Sequence, residues 1–307
     1  SRPLRAGRKQ VSSGWVVASM AGPPVLILHA TGTNRDREAA YACSLAGGAP
    51  QIVHINQVLR GDIALRDYAM LVIPGGFSFG DDLGAGKLWA TVLRERLGED
   101  LSRFVDAGKP VIGICNGFQV LVKSGLLPGP LPSAVGVLSD GLSDDLSDDL
   151  SSDLSSASAF AEQSATLTRN ERLRFECRWV HLAADPTTHC VFTSGLDELI
   201  HCPVAHGEGR FVADEATLSK IEAAGMVALR YVRADGSSPA PYPENPNGSL
   251  HDIAGITNAK GNVLGLMPHP EDHVGPLQHP RQHRGERGQF GLPLFAAGVR
   301  YATQSQA

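Results

Sequence analysis

Cys115 stands between two glycines in VIGICNGFQ, residues 111–119, at the point where an apolar run stops. Gly113-Ile114-Cys115-Asn116-Gly117 fits the sharp strand-to-helix turn called a nucleophile elbow, in thiol form. Such a turn is strained and its backbone crowded, so a side chain at either glycine would collide with its surroundings. Placed there, the thiol projects from the sheet edge. A helix starting at Asn116 would point its amino end at the sulfur, favouring thiolate and offering free amides to a developing oxyanion. A small cysteine buried at a strand end would account equally well for the glycine spacing alone.

A thiol nucleophile needs a base, and the base needs an orienting acceptor; both can come from distant sequence. In VLGLMPHPE, residues 263–271, a second apolar run ends in His269, Pro270 and Glu271. His269 suits the base and Glu271 the orienter, with the proline stiffening the turn that presents both. Alone, the tripeptide would read as an exposed turn; beside the elbow it completes a candidate triad. The third stretch, LVIPGGFSFGDDLGAGK at 71–87, runs an apolar segment into a glycine loop. It lacks the Gly-Lys-Ser/Thr ending of a phosphate-binding loop, and there is no G-x-G-x-x-G fingerprint. Its glycines suit backbone N–H groups closing on a substrate carbonyl beside Cys115; a plain surface turn is the alternative.

These residues need elements to hold them. VLILH (25–29), QIVHI (51–55), YAMLVIPGG (68–76) and PVIGI (110–114) read as buried strands, and the segments 35–48 and 87–108 as helices. Continuous apolar strands alternating with helices imply an α/β fold with a doubly wound, mostly parallel sheet, its chemistry at the carboxyl ends of the strands. Beyond residue 163 the stretches 173–183, 199–206, 225–232, 251–258 and 262–269 are strand-like, so the second half adds antiparallel strands. Residues 24–300 read as one domain. Within it, about 130–163, lies an acidic Ser-Asp-Leu repeat, LSDGLSDDLSDDLSSDLSSAS, with the composition of a solvated, disordered insertion. Residues 1–23 read as a disordered extension, with Met20 a natural start.

The 307 residues are 42% apolar, enough for one large core, and the formal net charge of -5 supplies no basic field to hold nucleic acid. No apolar run approaches the roughly 20 residues a membrane helix needs. Five scattered cysteines argue against a disulfide framework and for the reducing cytoplasm. Cys177, Cys190 and Cys202 with His181, His189 and His201 lack a C-x-x-C spacing, and His273, His279 and His283 lie in a proline- and glycine-broken segment. No metal is assigned.

At its chemical motifs the chain resembles the triad, class I glutamine amidotransferases, whose fold is flavodoxin-like. More narrowly it resembles the glutaminase subunits of phosphoribosylformylglycinamidine synthase. The resemblance runs from about Val25 to Pro293 and rests on GTNRDRE (32–38), PGGFSFGDDLGAGK (74–87), GICNGFQVL (113–121), TRNERLRFECRWV (168–180), PVAHGEGRF (203–211), NPNGSLHDIAGITN (245–258) and GLMPHPE (265–271). It implies that Cys115 attacks the side-chain amide of L-glutamine, that His269 relays protons and that Glu271 orients His269. It also implies an oxyanion and substrate site from the Gly75-Gly76-Phe77 loop, Asn116 and Gln119. A glutamyl thioester would be hydrolysed to glutamate. The ammonia would pass to a synthetase subunit, which holds ATP and Mg2+ and works with a small accessory subunit in purine biosynthesis; no cofactor is expected on this chain.

His206 and Glu208 in AHGEGR take a substrate-side or interface role by resemblance, with a structural polar turn as the alternative. Two positions depart from the family pattern: Arg35 stands where Cys commonly follows GTN, and Asp272 where Arg commonly follows PHPE. Neither replaces a triad member, so the expected consequence is altered contacts at the partner surface. A stand-alone cysteine hydrolase or peptidase, and a non-catalytic binding subunit, are the rival readings.

Overall fold

A computed structural model describes residues 22–132, 158–285 and 291–305. Residues 1–21 and most of the acidic repeat lie outside the described residues, and with them the expectations of a disordered extension and insertion.

Apolar runs form the centre of the sheet. β1 (Pro24–His29), β3 (Met70–Ile73) and β4 (Val111–Ile114) are buried along almost their whole length, as strands covered on both faces must be. β2 (Ala49–His54) is the edge strand and keeps Gln51 and Ile52 exposed. The expected strand at 51–55 ends at His54, because His54 caps the short helix α2 (Ile55–Leu59): its Nδ1 accepts the Asn56 N–H, and Gln57 Oε1 accepts the His54 N–H.

α1 (Asp36–Leu45) follows β1, α3 (Lys87–Asp106) joins β3 to β4, and α4 (Asn116–Ser124) follows β4. β2 lies to one side of β1, and β4 lies beyond β3 on the other. Right-handed crossovers therefore send α1 and α3 to opposite faces. α3 buries Trp89, Leu93, Leu97, Leu101 and Phe104, a stripe at helical spacing that packs on α4.

The second half contributes β5 (Ala165–Thr168), β6 (Glu176–Ala184), β7 (Ile200–His206), β8 (Arg210–Ala213), α5 (Glu215–Ala223), β9 (Val227–Val232), β10 (Ile253–Thr257), β11 (Val263–Leu266) and α6 (Leu292–Gln304). The main sheet has the order β2-β1-β3-β4-β11-β10-β9-β6-β7; its first five strands are parallel and the rest join antiparallel. The expected mostly parallel, doubly wound sheet with antiparallel additions is borne out. A separate β5–β8 pair and the helices α5 and α6 go beyond the expected pattern. α6 returns to pack on α1, and among the described residues no helix is long and apolar enough to cross a membrane.

Candidate functional site

β4 and β11 are parallel neighbours with Ile114 opposite Leu266, so the residues that follow them emerge side by side at the carboxyl end of the sheet. Cys115 follows β4 directly and donates its amide to the Leu266 carbonyl at 2.8 Å. Its backbone, at φ 51° and ψ -104°, is in the region costly for any residue with a side chain. The two flanking glycines allow it: a Cβ on Gly117 would lie 1.9 Å from the Ile73 carbonyl oxygen, and one on Gly113 would meet Leu121 at 2.5 Å. The thiol is 6% exposed, with Sγ 4.0 Å from the Ala205 carbonyl on β7.

His269 and Glu271 are both buried in the turn after β11, and His269 Nδ1 bonds Glu271 Oε1 at 2.7 Å. His269 is held from a second direction by its N–H, which donates to the Pro203 carbonyl of β7 at 2.8 Å. Burial opposes its charged form, but Glu271 and then Cys115 outweigh burial, through charge and hydrogen bonding, and raise its pKa well above the usual histidine value. The structure thus brings Cys115, His269 and Glu271 together, with Nδ1 committed to Glu271 and Nε2 as the remaining ring nitrogen.

The glycine loop after β3 closes over this group. A Cβ on Gly75 would lie 2.8 Å from His269 Cε1, and Gly76 bridges Thr33 in the loop after β1. Phe77 donates its amide to Gly32 O at 2.9 Å, and its side chain is half exposed. Of the three amides in this loop, that of Phe77 is thereby engaged. Asn116 faces the loop as well: its side-chain oxygen accepts from the Ser78 amide and hydroxyl, and its Nδ2 donates to Asp81 Oδ1 at 3.3 Å and to Gln119 Oε1 at 3.0 Å. Gln119 in turn donates Nε2 to the Glu208 carbonyl at 2.6 Å. Its amide is thereby engaged at both ends, which makes it a brace between α4 and the 206–209 turn.

His206, at the end of β7, is buried; its Nδ1 bonds Asn170 Oδ1 at 3.2 Å, and Nε2 has no hydrogen-bond partner among the described residues. Burial, reinforced by nearby His269, pushes its pKa down to about 3, so the ring is neutral. Asn170, Asn247 and Ser249 converge on Gly209: Asn170 Oδ1 accepts its N–H, and Asn247 Nδ2 donates to its carbonyl. The motifs that contain these residues were legible, yet their joint grip on one turn was not, because each contributes one polar atom from a separate segment.

His269, Glu271 and Asp272 place atoms able to ligate a cation within 4.8 Å of one another. His269 Nδ1 is engaged by Glu271 Oε1 and Asp272 Oδ2 by Arg35, while the buried Glu271 Oε2 has no hydrogen-bond partner among the described residues. Arg35 Nε reaches Asp272 Oδ2 at 3.1 Å, so the two departures from the family pattern are partners across 237 residues of sequence. Elsewhere His201, His273 and His279 gather around Trp179, His181 stacks on His201, and His279 Nε2 lies 3.2 Å from His201 Nδ1; the spacing along the chain carries no sign of this cluster.

A cysteine elbow on the carboxyl end of a parallel sheet, faced by a histidine–glutamate pair from the next strand, has the arrangement that nucleophilic chemistry at a thiol needs. The family model of the CobB/CobQ-like glutamine amidotransferase domain matches residues 22–302, and the chain belongs to that family. Within it, the chain is 48% identical over 284 residues to phosphoribosylformylglycinamidine synthase subunit PurQ of Treponema denticola, covering 91% of this chain and 98% of that protein. The subunit PurQ of Dehalococcoides mccartyi is 42% identical over 288 residues, covering 93% and 100%. Among solved structures, a chain of PurLQS from Thermotoga maritima superposes with a TM-score of 0.63 at 30% identity, covering 91% of this chain and 99% of that one. The narrow resemblance seen in the motifs is borne out.

Proposed function

We propose that the chain is the glutaminase subunit of a phosphoribosylformylglycinamidine synthase, with Cys115, His269 and Glu271 as its catalytic triad. The observation that carries this reading is the convergence of the elbow cysteine and the buried His269–Glu271 pair at the ends of two adjacent parallel strands.

Cys115 thiolate attacks the side-chain amide carbon of L-glutamine, and the carbonyl electrons move onto oxygen. The N–H of Asn116, at the start of α4, and an amide of the Gly75-Gly76 pair hold that oxyanion. His269, bearing the proton taken from the thiol, passes it from Nε2 to the leaving nitrogen; the carbon–nitrogen bond breaks and ammonia departs, leaving a glutamyl thioester. His269 then takes a proton from water, which adds to the thioester. Glutamate leaves as the thiol is restored. Glu271 keeps Nδ1 protonated and stabilises the imidazolium. His206, neutral and next to Ala205, takes a substrate-side place without proton transfer, and Glu208 belongs to the turn that Gln119 braces.

The ammonia passes to a cytoplasmic synthetase subunit, which amidates formylglycinamide ribonucleotide using ATP and Mg2+, with a small accessory subunit completing the complex. The engagement of His269 Nδ1 by Glu271 and of Asp272 by Arg35 favours proton relay over metal binding on this chain.

The test is glutamate release from glutamine by wild type and Cys115→Ala, alone and with the synthetase subunit, its nucleotide substrate and ATP. Cys115-dependent release that rises with the partner is the expected result. No release from a complex shown to have formed would overturn the reading.

A further inference from the structure

Asp272 sits immediately after the residue that orients His269, and its carboxyl belongs to the same tight group as the His269 ring and the Glu271 carboxyl. A second carboxylate so close to one imidazole is a liability. It competes with Glu271 as a hydrogen-bond acceptor and adds a charge that a buried dyad does not need. What faces Asp272 is Glu271, His269, the Cys202 thiol of β7, and Arg35 and Glu38 from the start of α1. Arg35 alone among them is a permanent cation.

Arg35 reaches across from the loop after β1. Its N–H donates to the Gly75 carbonyl at 3.3 Å, and its Cγ lies 3.5 Å from the place a Gly75 Cβ would occupy, on the same side that meets His269 Cε1. Its Nε bonds Asp272 Oδ2. One residue therefore joins the two segments, its backbone amide on the Gly75 loop and its side chain on the segment that carries the histidine–glutamate pair.

We infer that Arg35 is a positioning residue for the triad: it engages Asp272 so that Glu271 is the one carboxylate bonded to His269, and it fastens the His269–Glu271 turn to the Gly75 loop. The pair is about a quarter to a third exposed, so solvent screens its charge and the effect is one of tuning rather than of gross stability. This rests on the proposed triad, and the test separates the two.

The experiment uses the full chain. The rate of Cys115 alkylation by iodoacetamide is followed against pH by peptide-resolved mass measurement, and kcat and KM for glutamine are measured in the complex with the synthetase subunit. Arg35→Gln leaves Asp272 as an uncompensated negative charge, so the midpoints of the alkylation profile move to higher pH. Asp272→Asn leaves Arg35 uncompensated and moves them down. The exchanged double variant, Arg35→Asp with Asp272→Arg, returns them toward wild type, and Arg35→Lys stays closer to wild type than Arg35→Gln. In the single variants kcat falls several-fold with KM nearly unchanged.

Single variants that leave the alkylation profile in place, or move it in the same direction, overturn the inference, as does a double variant no closer to wild type than its parents. Profiles that move as expected in a chain that hydrolyses no glutamine would sustain the inference and remove the glutaminase reading. Active enzyme with unmoved profiles would do the reverse.

Discussion

Gln119 Nε2 lies 2.6 Å from the Glu208 carbonyl, while Gln119 Oε1 accepts from Asn116, the residue next to the nucleophile. One buried amide thus ties the first turn of α4, which presents Cys115, to the turn after β7, which flanks it. Gln119→Leu removes both bonds and leaves a buried Asn116 donor short of an acceptor, at a cost of about 1–3 kcal/mol. Chemical denaturation is expected to show that loss, together with slower Cys115 alkylation, because the elbow is no longer braced on that side.

Cys115→Ala is expected to abolish glutamine-dependent synthesis in the assembled complex while sparing ammonia-dependent synthesis, since the synthetase chemistry is assigned to the partner. Side-by-side assays with glutamine and with ammonium salt check this. Loss of both activities from an intact complex would refute the separation.

Gly117→Ala forces a Cβ to within 1.9 Å of the Ile73 carbonyl oxygen, which is strand backbone and cannot yield cheaply. The expected outcome is destabilisation of about 2–4 kcal/mol with displacement of the elbow. Thermal melting and the alkylation rate of Cys115 report the two effects. An unchanged melting temperature would show that β3 and β4 separate more easily than their burial implies.

Glu271→Gln removes the largest of the influences that raise the His269 pKa and leaves Cys115 alone to oppose burial, so the imidazolium is disfavoured relative to wild type. Glutamine hydrolysis should fall by about 10²–10⁴-fold. In the wild type, His269 has a raised folded pKa, so its contribution to stability is fully present below the unfolded value near 6.5 and is lost as pH rises through the folded one. Glu271→Gln should lessen that alkaline loss, which denaturant titrations from pH 6 upward would detect.

His206 has the opposite sign. Its folded pKa is lowered to about 3, so between roughly 6.5 and 3 the unfolded chain binds the extra proton and stability falls as pH falls. At pH 4.5 the cost is about 2–3 kcal/mol relative to neutral pH. His206→Gln, which cannot titrate, is expected to flatten the acid side of the melting-temperature profile even where it lowers the value at pH 7.

Much of this protein was determined by its sequence alone. The β1, β3, β4 and β11 runs are apolar throughout because both faces of a parallel strand are buried, and that composition is visible without coordinates. The Cys115 elbow was equally legible, since Gly113 and Gly117 are required by backbone contacts only one turn away or on the adjoining strand. The pairing of Arg35 with Asp272, the closure of Gln119 on Glu208, the convergence of Asn170, Asn247 and Ser249 on Gly209, and the gathering of three histidines around Trp179 were decided only in three dimensions. Local sequence records which face of an element must be buried. It does not record which distant element fills the space opposite, because that depends on strand order and register, and a polar atom has no partner until those bring one within about 3 Å.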